Sequence, residues 1–351
     1  MNEALVLLIA ILFLAIAFDF INGFHDTANA IATVVATRVL TPMQAILMAA
    51  SLNFVGAMIG TAVAKTISKD LIDASLATQQ LIIAALLAAI TWNLITWFYG
   101  IPSSSSHALI GGIVGAAIAE AGLDAPQWHT VLIKVVIPLF VSPLVGFCAS
   151  WLIMIVMLRA FIKRRPADVQ RLFGKLQIAS SAFMAFSHGG NDAQKTMGIM
   201  TLALVTYTYS SKNLPVPADE LAKMDIPMWI KLSASIAMGL GTAMGGWRII
   251  KTMGHRLARL QPMHGFAAET AAASIIETAS HLGFPLSTTH VISSSIMGAG
   301  ASRSMSAVRW SVAGNIVTAW ILTIPACMIL AGVFFYIVNL LIPSGAPPPA
   351  P

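Results

Sequence analysis

The chain has 351 residues, of which 57% are hydrophobic and only 10% are charged. Because soluble globular proteins carry about 25% charged residues, this composition excludes a soluble enzyme and favours a membrane protein built of helices. We interpret the formal net charge of +6 as basic cytoplasmic loops rather than as a nucleic-acid site. Cys148 and Cys327 lie in apolar runs, so no disulfide, metal site or cofactor is predicted.

Apolar segments separated by polar or glycine-rich sequence fill the first half, 1–158. They are predicted at 4–19, 27–37, 44–64, 79–99, 108–121 and 131–158. A basic cytoplasmic connector, 159–176, follows and is predicted as a short surface helix. The second half, 177–342, repeats the pattern. Its segments are predicted at 177–208, 228–250, 265–282, 291–301 and 308–341. The Pro/Ala-rich tail, 343–351, is predicted to be disordered.

Two polar motifs interrupt apolar segments at matching places in the halves. Residues 22–30 read N-G-F-H-D-T-A-N-A, and residues 187–198 read S-H-G-G-N-D-A-Q-K-T-M-G. Charged groups are costly at bilayer depth, and interrupted segments in corresponding positions point to a transport site. We therefore predict a helix broken at Gly23 and another broken at Gly189-Gly190, with the polar groups gathered at each break.

A second pair of motifs follows the next apolar run in each half. Residues 102–107 read P-S-S-S-S-H, and residues 285–290 read P-L-S-T-T-H. The apolar helix after each motif is too short to span a bilayer, so each motif is predicted to form a re-entrant hairpin. With the connector in the cytoplasm, most of the 20 Lys and Arg residues also fall on that side. The predicted fold is an all-α polytopic membrane protein with two inverted-topology repeats.

The breaks and hairpin tips predict an anion site, because helix N-termini bind anions. The predicted substrate-binding residues are Asp26, Thr27, Ser104, Ser105, Ser106, Asn191, Asp192, Gln194, Lys195, Ser287, Thr288 and Thr289. Carboxylates beside such a site require a coupling cation or an anion that carries an O–H group, as phosphate does near neutral pH. The predicted ion-coupling residues are His25, Asp26, Asp192 and Glu269. Helix capping and helix–helix contact stay open as alternative roles for these groups.

These motifs resemble the inorganic phosphate transporter family, from about Ala17 to Ile324. The resemblance implies a low-affinity bacterial permease of the cytoplasmic membrane that imports phosphate by proton symport, in some members as a metal–phosphate complex. It implies that Asp26 and Asp192 lie at the substrate and coupling-ion site. His25 replaces an asparagine of many members and Asn53 replaces a glutamate of sodium-coupled members, which favours proton coupling.

Several alternatives stay open at this point. A sodium-coupled phosphate transporter or a sulfate permease of the same fold fits the motifs. A homodimer in contact with membrane lipid is compatible with the sequence. A membrane metalloenzyme with His25, Asp26, His188 and Asp192 as ligands is a remote alternative, because the sequence has no HExxH or other tight metal-binding spacing.

Overall fold

The computed structural model describes residues 3–69, 71–72, 76–212, 214, 216–217 and 225–342, and these residues are almost entirely helical. The helices of the first half are α1 (Glu3–Ala36), α2 (Pro42–Ala57), α3 (Ala62–Lys69), α4 (Gln79–Tyr99), α5 (Ser105–Ala121) and α6 (Trp128–Ala160). Those of the second half are α7 (Pro166–Ser210), α8 (Met228–Met244), α9 (Trp247–Lys251), α10 (Pro262–His281), α11 (Thr288–Ala301) and α12 (Trp310–Leu341). The predicted tail lies outside the described residues.

The order of helices in the second half repeats that of the first. Each half has a long helix, a helix pair separated by a short break, a third helix, a short helix and a long closing helix. The pair α2–α3 is bent by 70°, and Gly60, at the break, has a φ of +85° that suits glycine. Gly245, between α8 and α9, has a φ of +72°. The predicted segments 44–64 and 228–250 are therefore each two helices rather than one.

Several of the described helices are long enough to span a membrane. By length and apolar composition, α1, α4, α6 and α12 can each cross a bilayer, and the bent pair α2–α3 is either a fifth, broken span or a re-entrant segment. The predicted surface helix at 159–175 is wrong. A short turn at 161–165 follows α6, and Pro166 then begins α7, a continuous helix of 45 residues.

The predicted helix breaks at Gly23 and at Gly189-Gly190 are also wrong, because α1 and α7 run through them without interruption. These glycines serve close helix packing instead. A Cβ on Gly23 would lie 2.6 Å from the carbonyl oxygen of Met238, and one on Gly189 would lie 2.3 Å from that of Asn53. Because both helices are continuous here, these positions have no free backbone N–H groups that could contribute to an anion site. The polar side chains are accommodated within protein rather than by unwound backbone.

Packing between the helices crosses from one half to the other. The helix α1 packs on α8, and α7 packs on α2. The short helix α5 packs on the closing helix α12 of the second half, while α11 packs on α6. Two hydrophobic cores result. One contains the start of α1 and the end of α7, and the other contains the end of α1 and the start of α7. The polar motifs lie mainly in a layer between these two cores.

Candidate functional site

The two polar motifs face each other where α1 and α7 cross. Ser181 Oγ on α7 donates a hydrogen bond of 3.0 Å to the carbonyl oxygen of Ala30 on α1. Farther along the contact, side-chain ligand atoms of Asp26, His188 and Asp192 lie within 4.8 Å of one another. Residue numbers fall on α1 as they rise on α7, so the two helices run antiparallel here. The fold thus brings together motifs that are far apart in sequence.

Asp26 is held by side chains of its own half. Its Oδ1 lies 2.6 Å from Nδ1 of His25, and Nε2 of His25 hydrogen-bonds with Thr96 Oγ1 at 3.0 Å. Its Oδ2 accepts a hydrogen bond of 2.9 Å from Ser105 Oγ, which also lies 2.6 Å from Oδ1 of Asn22. All five residues are buried. Asp26 is therefore a carboxylate with one imidazole neighbour and one hydroxyl donor.

Asp192, the counterpart of Asp26, has a cation beside it. Its Oδ1 forms an ion pair with Nζ of Lys195, which is only 1% exposed. Its Oδ2 lies 3.3 Å from Nε2 of His188 and accepts a hydrogen bond of 3.3 Å from Thr288 Oγ1. The ammonium of Lys195 also donates to Ser106 Oγ in the Pro-Ser-His motif of the first half. A buried positive charge thus links the second aspartate to the first hydroxyl cluster.

The hydroxyl residues 104–106 and 287–289 form two triplets, and the first hydroxyl of each triplet caps a helix. Ser104 Oγ accepts a hydrogen bond of 3.1 Å from the backbone N–H of His107, and Ser287 Oγ accepts one of 3.3 Å from that of His290. Both residues have the extended backbone of a helix N-cap. The starts of α5 and α11 are thereby fixed. Ser104 and Ser287, predicted as substrate ligands, have their oxygens engaged in capping.

The third hydroxyl of each triplet contacts the opposite half of the chain. Ser106 accepts from Lys195 on α7, and Thr289 Oγ1 accepts a hydrogen bond of 2.9 Å from Asn29 Nδ2 on α1. Ser106 Oγ also donates to the carbonyl oxygen of Leu286 at 3.3 Å, so the two tips touch each other. These contacts join the hydroxyl motifs before α5 and α11 to both α1 and α7.

Two of the other predicted ligands are tied to neighbouring helices. Thr27 Oγ1 donates to the carbonyl oxygen of Gly23 at 2.7 Å and lies 3.3 Å from that of Thr242. Asn191 Nδ2 donates a hydrogen bond of 2.7 Å to Ser280 Oγ on α10. The Oδ1 of Asn191 has no hydrogen-bond partner within the described part of the chain, so it retains a free acceptor.

Gln194 holds the bend between α2 and α3. Its Oε1 accepts a hydrogen bond of 2.9 Å from the backbone N–H of Val63, in the first turn of α3, and its Nε2 donates to the carbonyl oxygen of Gly190. The same side chain lines a partly open cleft of about 70 Å³ together with Gly60 and His281. Gln194 therefore contacts the start of α3 rather than the two aspartates.

Glu269 lies in a separate polar cluster. It accepts hydrogen bonds from Thr33 and Ser180, and Gln177 Nε2 lies 3.4 Å from its Oε1. Thr33 is two helical turns beyond Asp26 on α1, which corresponds to about 10 Å at a rise of 1.5 Å per residue. The structure thus gives Glu269 a fully buried site with three donors but does not bring it into the aspartate cluster.

Sequence reasoning missed three buried polar groups on α1. Asp19, Asn22 and Asn29 are each at most 2% exposed, and they lie on the same helix as Asp26. Their spacing of three or four residues, with Asp26 between the second and third, places all four on one helix face. That periodicity was the available signal. The interpretation of 22–30 as a helix break hid it, because a break resets the helical phase.

Comparison with known proteins identifies the family of this chain. The model of the phosphate transporter family matches residues 22–167 and 161–331. A Bacillus subtilis protein described as a probable low-affinity inorganic phosphate transporter is 46% identical over 97% of this chain and all of its own. One from Rhizobium meliloti with the same description is 43% identical over 95% of this chain and 97% of its own.

A solved structure is also similar to this chain. It is titled "The sodium-dependent phosphate transporter" and aligns with a TM-score of 0.80 and 25% identity, covering 96% of this chain and all of the other. These matches exclude the metalloenzyme alternative, because the family and its members are transporters. The similarity extends over both halves and includes both polar motifs. The chain is a multi-pass protein of the cytoplasmic membrane and belongs to the phosphate transporter family.

Proposed function

We propose that this chain imports inorganic phosphate across the cytoplasmic membrane by cation symport, with the binding site exposed to each side in turn. One observation carries the proposal. Two buried aspartates from opposed helices lie together, each accepts a hydrogen bond from a hairpin hydroxyl, and one buried ammonium lies beside them. Such a site offers both donors and acceptors to a ligand, as a partly protonated oxyanion requires.

The balance of donors and acceptors favours phosphate over sulfate. In this proposal phosphate displaces the hydrogen bonds that Ser105 and Thr288 donate to the aspartates in the structure. These two hydroxyls and Lys195 then donate to the unprotonated oxygens of the ligand. Asp26 and Asp192 accept from O–H groups, which phosphate carries near neutral pH and sulfate does not. A site specialised for an O–H donor discriminates strongly against an analogue without one, because its own acceptors are left unpaired. Excess sulfate is therefore expected to leave phosphate uptake unchanged.

The hairpin tips are proposed to deliver hydroxyls to the bilayer interior. Helix α5 has 17 residues and α11 has 14, which gives lengths of about 26 and 21 Å at 1.5 Å per residue. Both are shorter than a hydrocarbon core of about 30 Å. Each packs against the helix that precedes it, α4 or α10. Two re-entrant hairpins, entering from opposite sides and meeting at their tips, fit these lengths and contacts.

The antiparallel contact between α1 and α7 supports an inverted arrangement of repeats 1–158 and 177–342. Equivalent helices of two parallel repeats would point the same way, whereas those of inverted repeats point in opposite directions. The connector at 159–176 lies between them on the cytoplasmic side in this proposal. Movement of one bundle against the other would open the shared site first to one side and then to the other.

The coupling ion is proposed to be a proton. His25 and the two aspartates form one candidate route, and Glu269 with its three donors forms a second. The test is phosphate uptake into proteoliposomes under an imposed pH gradient, an imposed sodium gradient, or neither. Accumulation driven by the pH gradient alone supports the proposal. Accumulation that requires sodium would replace the proton with sodium, and the absence of any phosphate uptake or exchange would refute transport of phosphate.

A metal–phosphate complex is a second candidate form of the substrate. Oxygen atoms of Asp26 and Asp192 and a nitrogen of His188 lie within 4.8 Å of one another, and this donor set suits a divalent cation that travels as cargo. Uptake of labelled phosphate and of Mg²⁺ or Mn²⁺ should then occur in equal amounts. Phosphate uptake that continues undiminished in excess chelator would exclude the complex.

A further inference from the structure

One buried acid near the site has no well-formed hydrogen bond and no adjacent cation in the described part of the chain. Asp19 lies on α1, seven residues before Asp26, and is 0% exposed. Neither of its carboxylate oxygens has a hydrogen-bond partner in the described part of the chain. A carboxylate taken out of water without donors or a counter-charge is strongly disfavoured unless a proton or another cation neutralises it.

The surroundings of Asp19 are polar and likewise incompletely paired. Asn22 and Thr196 interact with its side chain, yet Asn22 Nδ2 and Thr196 Oγ1 have no hydrogen-bond partner among the described residues. The charged groups that interact with Asp19 are Asp192 and Lys195, both on α7. Asp19 is thus outside the hydroxyl–aspartate cluster but coupled electrostatically to the ion pair within it.

Asp19 breaks the symmetry of the two halves. In the register that aligns Asp26 with Asp192, the residue of α7 that corresponds to Asp19 is Ala185. Ala185 is fully buried in one of the hydrophobic cores. Both halves supply the aspartates and hydroxyls of the proposed phosphate site, whereas only the first half supplies this acid. Asp19, which only the first half supplies, is therefore not part of the symmetric set of aspartates and hydroxyls that forms the proposed phosphate site.

We propose that Asp19 is a proton-binding site of the transport cycle; this inference rests on the proposed phosphate transport. Phosphate that engages Lys195 draws positive charge away from Asp19 and adds negative charge near it. The carboxylate of Asp19 then takes one proton from hydronium on the outer side, releasing water, and returns it to water on the cytoplasmic side. By linkage, the proton on Asp19 in turn strengthens phosphate binding.

The test compares Asp19→Asn with wild type in proteoliposomes. Asparagine is nearly isosteric with the protonated acid but cannot release a proton. Phosphate exchange without a pH gradient is expected to stay within about twofold of wild type, while accumulation at an imposed gradient of about one pH unit falls about tenfold, because one pH unit is worth a tenfold ratio. Asp124→Asn, on an exposed loop, is the matched control and is expected to retain both activities.

A second readout counts protons directly. Calorimetry of phosphate binding in buffers of different ionisation enthalpy should show about one proton fewer taken up by Asp19→Asn than by wild type. Full accumulation by this variant would overturn the proposal. Loss of phosphate exchange by Asp19→Asn, in protein whose elution volume and melting temperature match wild type, would also overturn it. So would a sodium dependence of wild-type uptake that Asp19→Asn lacks. Wild-type protein without phosphate exchange would instead refute the proposed function, whatever the variants do.

Discussion

Lys195 and Asn29 occupy equivalent places in the two halves, and each donates a hydrogen bond to a hydroxyl of the opposite half, Ser106 or Thr289. One position carries a cation and the other a neutral amide. The site is therefore nearly symmetric in shape but not in charge. We expect phosphate to bind closer to the Lys195 side, where an ammonium rather than an amide faces the ligand.

The first prediction concerns this difference in charge. Lys195→Gln should weaken phosphate binding at least about tenfold, because a charge-assisted hydrogen bond contributes about 1.5–3 kcal/mol and each 1.4 kcal/mol is tenfold. Binding is measured by calorimetry on protein whose melting temperature is also recorded. Asn29→Gln is the matched control and should change the affinity less. Equal losses in the two variants would contradict the asymmetry.

The second prediction concerns the aspartates. Asp192→Asn should abolish phosphate uptake, because the amide removes an acceptor and leaves the ammonium of Lys195 without its partner. Asp26→Asn should also abolish uptake, since Asp26 is the equivalent acceptor on α1. Uptake is measured in proteoliposomes, and size-exclusion chromatography confirms that the protein is folded. Near-normal uptake by either variant would count against the mechanism.

Glycine packing provides a third prediction, on stability. Gly189→Ala should prevent folding or lower the melting temperature sharply, because its Cβ would lie 2.3 Å from the carbonyl oxygen of Asn53. Gly314→Ala is the control, since nothing lies within 4 Å of the added Cβ. Alanine there should stabilise the helix by up to about 1 kcal/mol. Thermal unfolding in detergent measures both variants, and a harmless Gly189→Ala would argue against the close packing of α2 and α7.

The fourth prediction separates Glu269 from the aspartates. Glu269→Gln keeps the size of the side chain and most of its hydrogen bonds but cannot carry a charge. If Glu269 is a coupling residue, this variant should retain phosphate exchange and lose accumulation driven by a cation gradient. Thr33→Val, which removes one donor to Glu269, should weaken accumulation by a smaller amount. Unchanged accumulation in Glu269→Gln would show that the cluster is structural.

Much of the fold could be predicted from local pattern. The segment predicted at 79–99 agrees with α4, which spans Gln79–Tyr99, because an apolar run with a capping Thr78 before it and Gly100 after it is a strong signal. The two hydroxyl motifs were recognised because residues 102–107 match residues 285–290 at a single offset along the sequence. The short helices after these motifs were predicted at 108–121 and 291–301, and in the structure each begins three residues earlier, at Ser105 and Thr288.

The unpredicted features depend on distant neighbours. A pair of glycines is compatible with a break or with a tight helix contact, and only the position of Asn53 on another helix distinguishes them. Asp19 was overlooked because it ends an apolar run, where a single acid resembles a boundary. Its burial depends on α7, which comes well over a hundred residues later in the chain. The site roles of the aspartates and hydroxyls stay predictions until transport is measured.

The crossed packing of the halves has a consequence for how the protein assembles. Helix α5 is covered on one face by α12 and helix α11 by α6, so a half synthesised alone would leave that face of its short helix uncovered. A chain cut within the turn at 161–165 should yield fragments that are unstable separately and regain their structure when produced together. Halves packed in this way depend on each other for their interior, so the intact chain rather than either half is the unit that folds.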